Sequence, residues 1–346
     1  LRMKMIRNTL YVTLEGAWVH KDGEAITIHK EHSKVAQFPI HQIGEIVCFG
    51  YGIGVSPNLT EYCASKGVTI TYVDGRGKFL ARMQGPVHGN VLLRRAQYRI
   101  SDNPEQSLAI AKCFVAAKIQ NQRNVLLRHL RNHNGCEGES EIKQSIAAME
   151  EGVASIKRTC DSAELRGIEG NAADNYFSVF NYLILNKDPD FRFTSRNRRP
   201  PMDRINAMLS YAYSILALDI RSALECVGLD PYVGFLHVDR PGRPSLALDL
   251  MEEFRAPIAD RLVLSLINLK SVSSKNFKVL PNGEVEMDTD TRKALLSAWQ
   301  KRKQEEINHP LLEESMPTGV IYTEQARLLA KHVRGEIEYY PAFLWR

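Results

Sequence analysis

From Thr9 to about Met83 the apolar positions come in short runs, rich in Val, Ile, Thr and aromatic residues, separated by turn residues such as Lys21-Asp-Gly23 and Asp74-Gly-Arg-Gly77. Runs of this length between turn signals predict strands. One stretch departs from the pattern. Ser56 can cap a helix, Pro57 suits its first position, and Leu59, Cys63 and Ala64 recur at helical spacing up to Lys66-Gly67. The preceding Gly50-Tyr-Gly-Ile-Gly54 reads as a tight turn packing a strand against that helix. Its backbone N–H groups could instead hold a phosphate, although the spacing is not that of the dinucleotide fingerprint.

Past Met83 the period changes. Residues 84–102, with Gly85-Pro86, Gly89 and the basic Arg94, Arg95 and Arg99, are expected to connect two regimes. Asn103 can then cap, and Pro104 open, a helix through Leu108, Ala111, Phe114, Val115, Ile119, Val125 and Leu127 to about Asn132. Helical patterns follow at 140–157, 161–186, 203–227, 247–269, 288–306 and 319–334, interrupted by a hairpin signal at Pro281-Asn-Gly283. The predicted architecture is α+β: an N-terminal β-rich domain with one helix over 1–83, a connector over 84–102, and a larger helical domain over 103–346.

Composition narrows the class. With 44% hydrophobic and 25% charged residues in 346, the chain has the make-up of a soluble globular protein with ample core. The net charge of +5 comes from the first 100 residues, so it argues only weakly for nucleic acid. Six scattered cysteines without a Cys-x-x-Cys pair, no secretory signal and no run of about 18 apolar residues predict a reducing, bacterial-type cytoplasm and no membrane association. Leu1-Arg2 stand before Met3, so translation is expected to begin at Met3 or Met5.

Candidate chemistry gathers in Gly234-Phe-Leu-His237 and the helix signal after it, which carries Asp249, Glu252 and Glu253. Helical spacing lets Asp249 present its carboxylate beside Glu252 or Glu253. Imidazole with carboxylates suits Mn²⁺, Mg²⁺ or Zn²⁺, the nitrogen favouring Mn²⁺ over Mg²⁺. Another ligand has to come from elsewhere, and Glu169 is a candidate. It falls on the apolar stripe of Leu165, Ala172, Tyr176, Val179 and Leu183, where a carboxylate needs a cation or hydrogen-bond donors. Gly167 and Gly170 beside it leave room for a close neighbour. An arginine partner such as Arg166 or Arg221 would explain Glu169 equally well, and His237 could be a satisfied turn histidine. Between these segments, Arg192, Arg196, Arg198 and Arg199, with Phe191 and Phe193 among the first of them and Arg204 shortly after, could hold phosphates and stack on an unpaired base. Tyr211 and Tyr213 are expected in the core.

The ordered set Asn8-Thr-Leu-Tyr-Val12, Val47-Cys-Phe-Gly50, Gly89-Asn-Val-Leu-Leu-Arg-Arg95, Arg166-Gly-Ile-Glu-Gly-Asn171, Arg198-Arg-Pro-Pro201, Asn206-Ala-Met-Leu-Ser-Tyr211, Gly234-Phe-Leu-His237, Asp249-Leu-Met-Glu-Glu-Phe-Arg255 and Tyr340-Pro-Ala-Phe-Leu-Trp345 resembles the CRISPR-associated integrase family, that of the first CRISPR-associated protein, and looks most like its subtype I-C branch. The resemblance covers essentially the whole chain. It implies an N-terminal β-domain that forms a homodimer and a helical catalytic domain holding one Mn²⁺ or Mg²⁺. By position the implied ligands are Glu169, His237 and Glu252, the last standing where the family often has Asp, with Asp249 supporting the site. It also implies a heterohexameric complex with a small second CRISPR-associated protein, and insertion of short DNA segments into the repeat array by attack of a 3′-hydroxyl. A metal-dependent nuclease for branched or single-stranded DNA in repair would use the same residues. A non-catalytic DNA scaffold would use the arginines alone.

Overall fold

The computed structural model describes residues 8–31, 33–75, 79–83, 85 and 91–345. The expected start at Met3 or Met5, the Arg76-Gly77 half of one predicted turn, and Pro86 and Gly89 of the predicted connector lie outside those residues. The chain divides into two units, Leu1–His88 and Gly89–Arg346, and the architecture is α+β.

Among the described residues the first unit holds two four-stranded sheets. In one, β5 (Ile43–Phe49) runs parallel to β1 (Asn8–Val12) on one side and β7 (Thr69–Val73) on the other, with β8 (Phe79–Met83) antiparallel at the edge. A central parallel strand is covered on both faces, which is why Ile46, Val47 and Cys48 are all buried although they are consecutive. In the other sheet, β2 (Trp18–Asp22), β3 (Ala25–Lys30) and β4 (Ser33–Pro39) form an antiparallel meander, and β6 (Gly54–Val55) pairs with β2. The predicted helix is α1 (Pro57–Lys66): Ser56 Oγ accepts from Leu59 N at 3.2 Å, and Gly67 ends the helix at φ 67°. The glycine-rich stretch before it bends at Gly50–Gly52 and then enters β6, where Gly54 lets the backbone pass close to Trp18: a Cβ there would stand 2.4 Å from the ring.

The second unit is helical. Its first helix, α2 (Val91–Ser101), corrects the expected connector: the side chain of Gln97 is fully buried and donates to the carbonyls of Asp230 and Val233, both at 2.8 Å. Ser101 Oγ holds the Gly234 carbonyl at 2.9 Å. A stretch rich in basic residues thus supports the segment that leads to His237. After it come α3 (Pro104–Asn132), capped by Asn103, α4 (Glu139–Ile156) and α5 (Ser162–Ser178). The last stops short of the predicted 186. Side-chain amides take over the backbone there: Asn181 Oδ1 accepts from Phe193 N at 2.9 Å, and Asn268 accepts from Leu185 N at 2.8 Å and donates to the Leu183 carbonyl at 3.0 Å.

Next is α6 (Arg204–Val227), capped by Asp203. The pattern over 247–269 predicts one helix, but the chain forms α7 (Ser245–Met251), a wide π-type turn over Arg255–Asp260, and α8 (Arg261–Asn268). Pro257 explains the break, since it has no N–H to give and its ring crowds the preceding turn. The fold closes with β9 (Phe277–Val279) and β10 (Val285–Met287), which are the predicted hairpin, α9 (Thr289–Gln304), an unforeseen hairpin of β11 (Glu306–Asn308) and β12 (Ser315–Pro317), and α10 (Thr318–Val333). All six cysteines are free thiols, and among the described residues no helix is long and apolar enough to cross a membrane.

Candidate active site

The site is assembled from α3, α5, the segment before α7, and the turn after it. Asp249 is fully buried on α7 and serves as a clamp for the histidine segment. Its Oδ2 accepts from Phe235 N at 2.7 Å and Leu236 N at 3.0 Å; its Oδ1 accepts from His237 N at 2.9 Å and from the imidazole Nδ1 at 2.6 Å. A proton on Nδ1 is fixed by that carboxylate, which leaves Nε2 of the neutral ring as the lone pair for an electrophile. Gly234 permits the close passage: a Cβ there would meet Asp249 Oδ2 and Ser245 Cβ, each at 2.8 Å.

Glu169 and Glu252 meet on one cation. Lys118, from the middle of α3, makes an ion pair with Glu169 Oε1 and lies 2.9 Å from Glu252 Oε2. Arg255, one turn along, holds the other oxygen of Glu252 at 3.0 Å. Burial pushes the Glu252 carboxyl up, but Arg255 first, then Lys118 and His237, pull it down to about 2. Its buried Oε2 has the Lys118 ammonium as its close partner. Glu169 and His237 belong to the same charge cluster: against the effect of burial, Glu252 and then Tyr213 and Glu169 raise Arg255, and His237 acts on Glu252. Among the described residues no three His, Cys, Asp or Glu side chains close on a common point as they would around an ion. The ammonium stands between the two glutamates, and Asp249 is spent on the histidine. The donors still fit a divalent ion, because two carboxylates already share one cation and the chemistry of the set, carboxylate oxygens with an imidazole nitrogen, suits such an ion.

Several expectations change. Glu169 pairs with neither Arg166 nor Arg221; the latter binds Glu225 at 3.1 Å. Phe191 and Phe193 are buried, Phe193 against Phe177 and Phe180, and Phe191 against Phe277, so they cannot stack on a base. Arg196 is committed internally, to Asn206 Oδ1 at 2.6 Å and Ser210 Oγ at 3.1 Å. Arg204 binds the Ser274 carbonyl at 2.9 Å and Asp190 at 3.0 Å. Arg192, Arg198 and Arg199 are exposed. Tyr211 is a core residue, whereas Tyr213 is half-buried, with the guanidinium groups of Arg196 and Arg255 5.3 and 4.9 Å from its ring centre. Its hydroxyl donates to Asp260 Oδ1 at 2.6 Å.

Glu253 does not join the site. It anchors the C-terminal tail, accepting from Tyr340 OH at 2.6 Å and Phe343 N at 2.7 Å, while Asn121 on α3 donates to the carbonyls of Glu253 at 2.7 Å and Phe343 at 2.9 Å. The tail therefore ties α3 to the turn that carries Glu252. Burial pushes the Glu253 carboxyl up from 4.5 to about 8, partly offset by bonds from Tyr340, Phe343 and Gln325. A value raised by folding gives stability that is complete below about pH 4.5 and lost as pH rises through about 8, at up to ~1.4 kcal/mol per pH unit. Above the range of Asp260, which burial raises to about 6, urea melts between roughly pH 6.5 and pH 8 should show that loss. Glu253→Gln, neutral throughout, should flatten it. An unchanged slope would assign the dependence to another group.

The sequence singles out neither Lys118 nor Asn121, and it names Arg255 only as the end of a motif and Tyr213 only as an expected core residue. Lys118 carried a signal, for it sits on the apolar stripe of Phe114, Val115 and Ile119, where a charge needs a partner as much as Glu169 does.

The profile of the family described as CRISPR associated protein Cas1 matches residues 10–301. A protein named CRISPR-associated endonuclease Cas1 1, from Chlorobaculum tepidum, is 48% identical over 99% of this chain and 100% of its own. Among solved structures, a casposase bound to integration product has a TM-score of 0.83 at 25% identity, covering 98% of this chain and 94% of that one. A Cas6-RT-Cas1 chain in complex with Cas2 has a TM-score of 0.81 at 19% identity, covering all of this chain (100%) and 37% of that one.

Proposed function

Since the chain belongs to the Cas1 family of CRISPR-associated proteins, we propose that it is a divalent-metal-dependent DNA integrase and endonuclease that inserts short DNA segments into a repeat array. The observation that carries this reading is the meeting of Glu169 and Glu252 on one buried cation beside a histidine whose ring is aimed by Asp249. Glu169, Glu252 and Nε2 of His237 would hold Mn²⁺ or Mg²⁺. The ion would supply Lewis-acid polarisation of the scissile phosphoryl group and stabilise charge on the attacking and leaving oxygens. The remaining work falls to the chain. Asp249 fixes the imidazole tautomer and denies the ring rotation. Arg255 neutralises the far oxygen of Glu252, so that its near oxygen faces the reaction. Gly167 and Gly170 have nothing within 4 Å of where a Cβ would stand, so this stretch of α5 next to Glu169 stays uncovered and open to a DNA backbone.

No protein nucleophile is needed, because a DNA 3′-hydroxyl attacks the phosphodiester and displaces another 3′-hydroxyl. Water in place of the attacking hydroxyl gives cleavage with the same geometry. The likeness to a casposase bound to integration product favours strand joining as the principal activity. A labelled duplex with free 3′-hydroxyls, incubated with a repeat-bearing plasmid in Mn²⁺, should become covalently joined to it. Cleavage without joining would favour a repair nuclease, and binding without either would favour a scaffold.

Assembly belongs to the same proposal. A homodimer through the first unit is supported by Trp18, Val35, Phe79 and Leu80, which are large, apolar and exposed on its strands. A small second CRISPR-associated protein as partner is supported by the Cas2 subunit in the complex that the fold resembles. The motif set favours the subtype I-C branch. The exposed Arg198 and Arg199 are the basic residues best placed to hold DNA phosphates. Changing both to Ala should lower the slope of log affinity against log salt by roughly 1–2, at ~0.7–0.9 per lost contact, with activity regained at high DNA concentration. An unchanged slope in a filter-binding salt series would remove them from the interface.

A further inference from the structure

Lys118 is the charged group that the proposed chemistry leaves without a task. Its side chain is 6% exposed in the middle of α3, where a lysine is seldom placed. Both glutamates offered to the metal spend an oxygen on it. Asn121, one turn further along α3, is fully buried and bound to the carbonyls of Glu253 and Phe343 and, through its Oδ1, to Trp345 N at 2.8 Å. The backbone that carries Lys118 is thereby pinned. Only the flexible four-carbon side chain is free to move.

Resting on the metal reading above, we propose that Lys118 is a built-in counter-cation: it holds Glu169 and Glu252 together when no divalent ion is bound, and on metal binding its ammonium turns to the open side of Glu169 to pair with a DNA phosphate. Charge counting supports the exchange. Two glutamates and the Asp249 carboxylate beside His237, against Lys118 and Arg255, leave the cluster with one negative charge. A divalent ion added to it makes the cluster positive in a largely buried place, a cost that a phosphodiester beside it reduces. The direction of the swing follows from exposure, since Glu252 is 3% exposed and Glu169 27%, and a Cβ at Gly167 or Gly170, next to the latter on α5, would meet nothing within 4 Å. Metal and DNA then bind with positive coupling, each favouring the displaced lysine, and the coupling is reciprocal.

The test is Mn²⁺ affinity of the full-length chain, followed by the electron paramagnetic resonance signal of free Mn²⁺, with and without a branched DNA duplex. In wild type, DNA should tighten Mn²⁺ binding. Lys118→Met keeps the side-chain length but removes the competing charge, so Mn²⁺ should bind roughly tenfold tighter without DNA, and the effect of DNA should shrink. Lys118→Arg keeps the charge and should bind Mn²⁺ no tighter than wild type. Should the methionine variant fail to fold, Lys118→Gln is expected to show the same tightening. Equal or weaker Mn²⁺ binding by the uncharged variants, with binding by wild type intact, would overturn the counter-cation role alone. If Glu252→Gln binds Mn²⁺ as wild type does, the metal centre itself is wrong, and this role falls with it.

Discussion

Replacing His237 by alanine should abolish strand transfer and cleavage in Mn²⁺ while leaving DNA affinity within about twofold of wild type. Loss of a ligand removes the ion's charge from the reacting phosphoryl group, and losses above ~10²-fold in rate are expected where even the partner of a ligand is worth 10–100-fold. Affinity for DNA rests instead on phosphate contacts such as those assigned to Arg198 and Arg199. The imidazole is part-buried, not core, so the variant should fold. Single-turnover joining of a labelled duplex, read beside a binding isotherm, separates the two quantities. Full activity of His237→Ala in Mn²⁺ would take His237 out of the site.

The largest expected effect on stability is at Asp249. Alanine there strands the N–H groups of Phe235, Leu236 and His237 and the ring Nδ1, all of which now share one fully buried carboxylate. Unmaking a buried charge-assisted cluster of this kind costs about 4 kcal/mol. Urea melts in chelator should show a loss on that scale for Asp249→Ala. Asn, which keeps one acceptor oxygen, should lose less. A change below about 1 kcal/mol would mean that the segment is held chiefly by Gln97 and Ser101 on α2, whose bonds reach the same stretch.

The fold was legible wherever local chemistry and tertiary packing agree. Ser56-Pro57 and Asn103-Pro104 each announce a helix start, and Gly67 an end, because caps are satisfied within a few residues. Legibility failed where distant groups decide. The end of α5 depends on Asn268, and the helical status of 91–101 depends on carbonyls near Asp230. Periodicity cannot carry such partners. The break at Pro257 was readable and was overridden by a continuous apolar pattern. In the site, the stripe argument singled out Glu169 as a carboxylate in need of a cation, and the structure supplies one, though it is Lys118 and not an arginine. Asp249 faces the histidine instead of Glu252, a choice that helical spacing left open. The arginine-rich loop misled through composition. Arg196 and the two phenylalanines are folded inward, so that only part of its charge faces solvent.

The central claim is that Glu169, His237 and Glu252 close around one divalent ion. Crystals grown or soaked in Mn²⁺ and measured at the manganese absorption edge test it most directly. The account predicts a single anomalous peak at bonding distance, ~2.0–2.6 Å, from both carboxylates and from Nε2 of His237, with the Lys118 ammonium turned away. No peak there, with Lys118 still joining the two glutamates at a Mn²⁺ concentration that supports DNA joining, would contradict it.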